Sequence, residues 1–185
     1  MTSTIATYYA NTQARAADAL FNSFDTNDVR KTNTMTATKS TLKYGKDSTR
    51  NSAGALDWIA DPKVIRLSEL YLIRAEALWQ KGQYTAAADD IKKISQRAHL
   101  TTTVNITYST PAELYKIIAD ERRRELCFEG FRLYDLGRRK ESITRGADCI
   151  ATKCTVNYPN ARYVLPIPGK ELDANRAMQP NPEIN

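Results

Sequence analysis

Two stretches of helical periodicity, split by a single glycine, constrain this chain more than any other feature. Leu67, Leu70, Tyr71, Arg74, Ala75 and Leu78 recur at spacings of three and one, the stripe of an amphipathic helix. Gly82 follows where a helix needs a left-handed C-terminal residue. Tyr84 opens a second helix, with Ala87, Ala88, Ile91, Ile94 and Ala98 on one face. A connection of about two to four residues forces the two helices to run antiparallel.

Further helices are predicted on either side. Residues 10 to 24 are Ala-rich, with Ala14, Ala17, Leu20, Phe21 and Phe24 at helical spacing, and Asp25 to Asp28 supply turn formers. Thr110-Pro111-Ala112-Glu113 reads as a capping box with proline at the first helical position. That helix is expected to reach about Glu129, where Gly130 permits a break before a short helix from Phe131 to about Arg139. Residues 29 to 62 are rich in Thr, Ser, Lys and Asn, and a weak alternation predicts a strand or hairpin near 34 to 44. From Ala147 onward an extended tail is expected, because five prolines forbid helix through most of it. The fold class is therefore mainly α, with a helical hairpin, a small strand element and a Pro-rich tail. Two regions are expected, 1–61 as the remnant of a larger domain and 62–185 as a helical region.

Composition narrows the function classes. With 42% hydrophobic and 26% charged residues in a chain of 185, a folded core is expected, and no apolar run approaches the roughly 20 residues of a spanning helix. The net charge of +6 is spread along the chain, and Arg122-Arg123-Arg124 is flanked by Glu121 and Glu125. A nucleic-acid surface would need unpaired cations on one face, so no nucleic-acid partner is expected. The opening residues lack the layout of a signal peptide and carry no lipid-acceptor cysteine.

The sequence AEALWQKGQYTAAADDIKKI resembles one tetratricopeptide repeat, and a single repeat cannot bury its own faces. Three longer segments resemble the SusD/RagB family in order and spacing. They are VIRLSELYLIRAEALWQKGQYTAAADDIKKISQRA, ADERRRELCFEGFRLYDLGR and YVLPIPGKELDANRAMQPNPEIN, with FDTNDVRK at 24 to 31 as a weaker fourth. Arg176 stands where the family usually has proline. The resemblance implies the C-terminal part of a Bacteroidetes outer-membrane lipoprotein, its signal and lipid anchor lying elsewhere. Such a protein captures oligosaccharides, or in some members peptides, for a SusC-like TonB-dependent transporter, without catalysis and without a cofactor. The alternative is an intracellular tetratricopeptide-like scaffold that binds a protein or peptide.

Glu121, Glu125 and Glu129 recur every four residues on the face begun by Leu114 and Ile118. A paired-carboxylate glycosidase site or a metal site would use such groups. Nearby arginines favour a structural ion-pair network, in which Glu129 and Arg132 also pair and Arg66 or Arg74 reaches Glu121 or Glu125 across the helix interface. His99 is the sole histidine and ends a helix, so a zinc site is not expected. Tyr44 and Trp58, in the polar 29–62 stretch, are candidate sugar platforms, with anchoring of the loop as the competing role. Cys149 and Cys154 are expected to form a disulfide and Cys127 to be a buried free thiol. An exposed apolar patch is expected around Tyr8, Tyr9, Leu20 and Phe24.

Overall fold

The computed structural model describes residues 15–43 and 64–181. These are mainly helical and fall into two compact units, divided between Glu129 and Gly130. The region boundary expected between 61 and 62 lies outside the described residues.

The first unit holds α1 (Asp18–Phe21), α2 (Arg30–Thr34), α3 (Leu67–Gln80), α4 (Tyr84–Ala98) and α5 (Pro111–Glu125). Residues 15–43 belong to this unit together with α3 to α5. The long helices α3, α4 and α5 pack on one another, and the hairpin between α3 and α4 closes as the glycine requires. Gly82 takes φ +74°, its N–H donates to the Trp79 carbonyl at 3.0 Å, and the Gln83 N–H donates to the Leu78 carbonyl at 2.9 Å. This pair of bonds satisfies carbonyls that the helix end would otherwise leave unpaired. At the start of α5 the capping box forms: Glu113 N–H donates to Thr110 Oγ1 at 3.2 Å, and Thr110 N–H donates to Glu113 Oε2 at 3.3 Å.

The core lies where small residues let the helices approach. Leu72 and Ala75 of α3, Ala87, Ile91 and Ile94 of α4, and Leu114 and Ile118 of α5 are all buried, on three helices that pack on one another. Full burial of a leucine such as Leu72 contributes about 1.5–3 kcal/mol. The expected face of α3 is corrected by about one residue. Leu67 and Leu70 are 69% and 51% exposed, and the buried face runs through Ser68, Leu72 and Ala75. Ala75 belongs to both readings; the apolar excess of α3 lets the stripe be drawn on either side of it.

Two expectations near the N-terminus are also corrected. Within the stretch 10–24, residues 10–14 lie outside the described set and only Asp18–Phe21 is helical. Arg15 forms a bridge with Ser40, and Ala16 N–H donates to the Lys39 carbonyl at 2.9 Å, so the backbone there is committed to a neighbouring segment. The strand expected near 34 to 44 reduces to the isolated bridges Arg15–Ser40 and Met35–Thr41, after Thr34 has ended α2. Leu20 and Phe24 do not form an exposed patch; they are buried with Ala16, Met35 and Cys127, with Phe21 and Phe128 packed alongside. Tyr8 and Tyr9 lie outside the described residues. This cluster also explains why α5 stops at Glu125 instead of near Glu129. Phe128 adopts a left-handed φ of +65°, and the turn carries Cys127 and Phe128 into the cluster.

The second unit contains α6 (Phe131–Arg138), β1 (Ile143–Thr144), β2 (Thr155–Val156), a 3-10 turn (Ala161–Tyr163) and α7 (Gly169–Ala174). The strands pair antiparallel, Ile143 with Val156 and Thr144 with Thr155. Between them a disulfide joins Cys149 to Cys154, with Cα atoms 5.9 Å apart. The Tyr163 hydroxyl donates to the Glu141 carbonyl at 2.7 Å and ties the 3-10 turn to the end of α6. Pro166 and Pro168 precede α7, a six-residue helix within the tail.

Candidate functional site

The strongest concentration of chemistry in the first unit lies on the inner face of α5. The capping box fixes where that helix starts, and from there Leu114, Ile118, Glu121 and Glu125 follow at spacings of four, three and four. All four are buried. The side chain that continues an apolar stripe is here a carboxylate, 0% exposed at Glu121 and 3% at Glu125. Burying a carboxylate is costly unless cations and hydrogen bonds answer it.

Cations from other segments and from α5 itself supply the answer. Arg30, at the start of α2, donates from Nη1 to Glu121 Oε1 at 2.7 Å and to Glu125 Oε2 at 3.0 Å. Its Nη2 and Nε face Asp28, at 2.7 Å to Oδ2 and 3.0 Å to Oδ1. Arg66, just before α3, donates from Nη1 to Glu125 Oε1 at 2.8 Å and from Nη2 to Glu129 Oε1 at 2.8 Å. Arg97 of α4 reaches Glu125 Oε1 at 2.7 Å. Arg124 folds back one turn onto Glu121 Oε2 at 2.7 Å, and Lys43 Nζ donates to Glu129 Oε1 at 2.6 Å. The protonation states follow from this. Burial pushes the Glu125 carboxyl up, but the Arg66 and Arg97 guanidinium groups outweigh it and hold the acid well below the usual carboxylate range. Burial likewise disfavours charged Arg30, and Asp28 and Glu121 reverse that and hold it well above the usual arginine range.

A cleft of about 370 Å³ opens beside this cluster, lined among others by Asp25, Arg30, His99, Asn105, Glu121 and Arg124. Its charged wall is answered internally, so it offers fixed dipoles rather than a free acid or base. A glycosidase acid needs a carboxyl with a raised pKa, and Glu125 is shifted the other way. Among the described residues, no group of three or more His, Cys, Asp or Glu is placed to hold a metal ion. No helix among them is long and apolar enough to cross a membrane.

Of the residues singled out from sequence, Arg66, Glu121, Glu125 and Glu129 are brought into this cluster. Arg74 is not: it donates from Nε and Nη2 to the buried Asp90 at 2.6 Å each, one helix away. Arg132 stands on α6, in the second unit. Tyr44 and Trp58 lie outside the described residues. His99 closes α4, with Nδ1 2.7 Å from the Ser95 carbonyl and Nε2 2.7 Å from Asp25 Oδ2. Sequence reasoning missed Asp28, Arg30, Lys43 and Arg97. The signal for the first two was the acid-and-arginine pair inside FDTNDVRK; no spacing pointed to Lys43. Among the aromatic residues, Trp79 is tied by Nε1–H to the Pro111 carbonyl at 2.7 Å and lies 4.6 Å, centroid to centroid, from Tyr115. It joins α3 to the start of α5 rather than offering a free flat face.

The sequence model of the SusD family matches residues 3–183. SusD-like protein P2 of Formosa agariphila is 33% identical over 127 residues, covering 63% of this chain and 24% of the relative. A crystal structure of a provisionally assigned sugar binding protein from Bacteroides vulgatus ATCC 8482 superposes with a TM-score of 0.73 at 28% identity, over 91% of this chain and 39% of the other. A SusD superfamily protein of the same organism gives 0.67 at 27% identity, over 87% and 37%. The chain thus spans about a quarter of the length of the curated relative and about two fifths of those solved structures.

Proposed function

The chain belongs to the SusD family, and from that premise we propose that it serves non-enzymatic capture of an extracellular nutrient, an oligosaccharide, at the outer membrane. Import would then pass to a SusC-like TonB-dependent transporter. The family match over residues 3–183 is the observation that carries this reading. The relation at 28% identity to a protein provisionally assigned as sugar binding supports the ligand class. The charged cluster supports the absence of catalysis, since its carboxylates are neutralised and buried rather than poised to exchange protons.

In this reading the described residues are scaffold: the hairpin of α3 and α4, and α5 locked against it by ion pairs. The remaining length of the relatives would contribute most ligand contacts. Affinity purification of the tagged protein from detergent-solubilised outer membranes tests the partner. A TonB-dependent transporter should co-purify in stoichiometric amount. Recovery of the protein from the soluble cytoplasmic fraction, with no transporter bound, would favour the intracellular scaffold instead.

A further inference from the structure

His99 is the one histidine of the chain, and both of its hydrogen bonds go to groups outside the ion-pair cluster beside it. Its ring is buried and held from two sides. Nδ1 lies 2.7 Å from the Ser95 carbonyl oxygen, and Nε2 lies 2.7 Å from Asp25 Oδ2. A carbonyl and a carboxylate only accept, so making both bonds requires a proton on both nitrogens, which is the imidazolium. The two acceptors belong to different elements. Ser95 is on α4, and Asp25 starts the loop that runs to Arg30. A second bond joins the same two elements, from Val29 N–H to the Ala98 carbonyl at 3.0 Å. Asp25 is set for its part by Asn27 N–H, which donates to Oδ1 at 2.7 Å and leaves Oδ2 facing the ring.

We propose that His99 and Asp25 form a pH-governed clasp, closed while the ring carries both protons, that pins the Asp25–Arg30 loop to the end of α4. Loss of one proton leaves an Nε2 lone pair facing a carboxylate, or breaks the Ser95 bond, so the clasp loses a hydrogen bond and an ion pair together. The loop it holds delivers Arg30 to Glu121 and Glu125, and its release loosens one wall of the 370 Å³ cleft. Among the described residues, the charged groups that act on the ring are Asp25 and Asp28 on the loop, and Arg30, Glu121 and Arg124 line the same cleft. Arg97, on the same helix as Ser95, turns to Glu125.

The sign of the effect is fixed. Burial disfavours the charged ring, but the Ser95 carbonyl and the Asp25 carboxylate outweigh it and raise His99 above its ordinary 6.5. The clasp's contribution is therefore whole below pH 6.5 and is lost as pH rises through the raised value. On the acid side, burial raises Asp25, the His99 bond outweighs it, and the carboxyl falls below its ordinary 3.8. That contribution is present above 3.8 and is lost as pH falls through the lowered value.

Because there is one histidine, imidazole NMR of the full chain follows the clasp without assignment ambiguity. The His99 midpoint should lie above 6.5, with protons on both ring nitrogens on its acid side. The hydrogen-exchange protection factor of Val29 N–H should fall as the ring deprotonates, about tenfold for each pH unit by which the midpoint is raised. Asp25→Asn should lower the midpoint and shrink the step; it leaves the ring in place and so reads the clasp even if His99→Gln does not fold. His99→Gln, where folded, should abolish the step. A midpoint at or below 6.5, Val29 protection that stays flat through the titration, or a step unchanged in Asp25→Asn would each overturn the proposal.

Discussion

Glu125 accepts from three guanidinium groups that arrive from three segments: Arg30 on one carboxylate oxygen, Arg66 and Arg97 on the other. Such a site is weak evidence for net stability, since desolvation offsets much of the attraction, but removing one partner strands the rest. Glu125→Ala is expected to cost about 3–5 kcal/mol by chemical denaturation, because it leaves buried Arg30 short of a carboxylate. A loss under about 1 kcal/mol would show the arginines to be solvated after all. Arg74→Ala should cost less than Glu125→Ala in the same assay, because Arg74 is itself exposed and Lys93 Nζ, 3.8 Å from Asp90 Oδ1, remains beside the buried acid. The pH dependence follows from the same geometry. Glu125 is held below its ordinary 4.5, so its contribution is present above that value and is lost as pH falls through the lowered one. Acid unfolding monitored by far-UV circular dichroism should therefore begin at lower pH than for Glu125→Gln, compared over the same range.

The elements divide according to how local their causes are. The hairpin of α3 and α4 and the cap of α5 were legible because one or two residues determine each: Gly82 the turn, Thr110 and Glu113 the box. The same locality makes them testable. Gly82→Ala should cost about 1–2 kcal/mol, the strain of a left-handed alanine, since a Cβ there meets nothing within 4 Å. A neutral result would mean the turn relaxes. Thr110→Ala should cost about 1 kcal/mol with the loss of the cap. The elements misread were those whose backbone partners are distant in sequence. Residues 15–17 look like helix, yet Ala16 pairs with Lys39, and no window of the sequence contains both. The buried face of α3 was misplaced because Leu67, Leu70 and Ile73 give that helix apolar residues on more than one side. In the charged site, the acids were legible from their four-residue spacing on a core face. Arg30, Lys43 and Arg97 were not, because each meets its acid across at least 28 residues of chain. The disulfide of the second unit closes a short loop, and its reduction is expected to lower the stability of that unit by about 2 kcal/mol on the chain-entropy estimate.

At the scale of the whole molecule, the chain spans about two fifths of the solved structures it matches. Leu67, Leu70 and Ile73 line one side of α3 at a helical spacing of three and are each more than half exposed. A hairpin of repeat type leaves such a face for a neighbour to cover. The proposed role needs that larger assembly, in which these helices hold the remainder in place and the ligand meets it there. The chain alone should therefore bind glycans weakly, and the longest form encoded by its gene should bind them tightly. Isothermal titration calorimetry of both forms against oligosaccharides, with chromatography of every sample for cleavage products, tests this most directly. Saturable binding by the long form, much weaker binding by the 185-residue chain and no products are the predicted result. Release of shorter sugars, or no binding by the long form to any glycan or peptide offered, would contradict it.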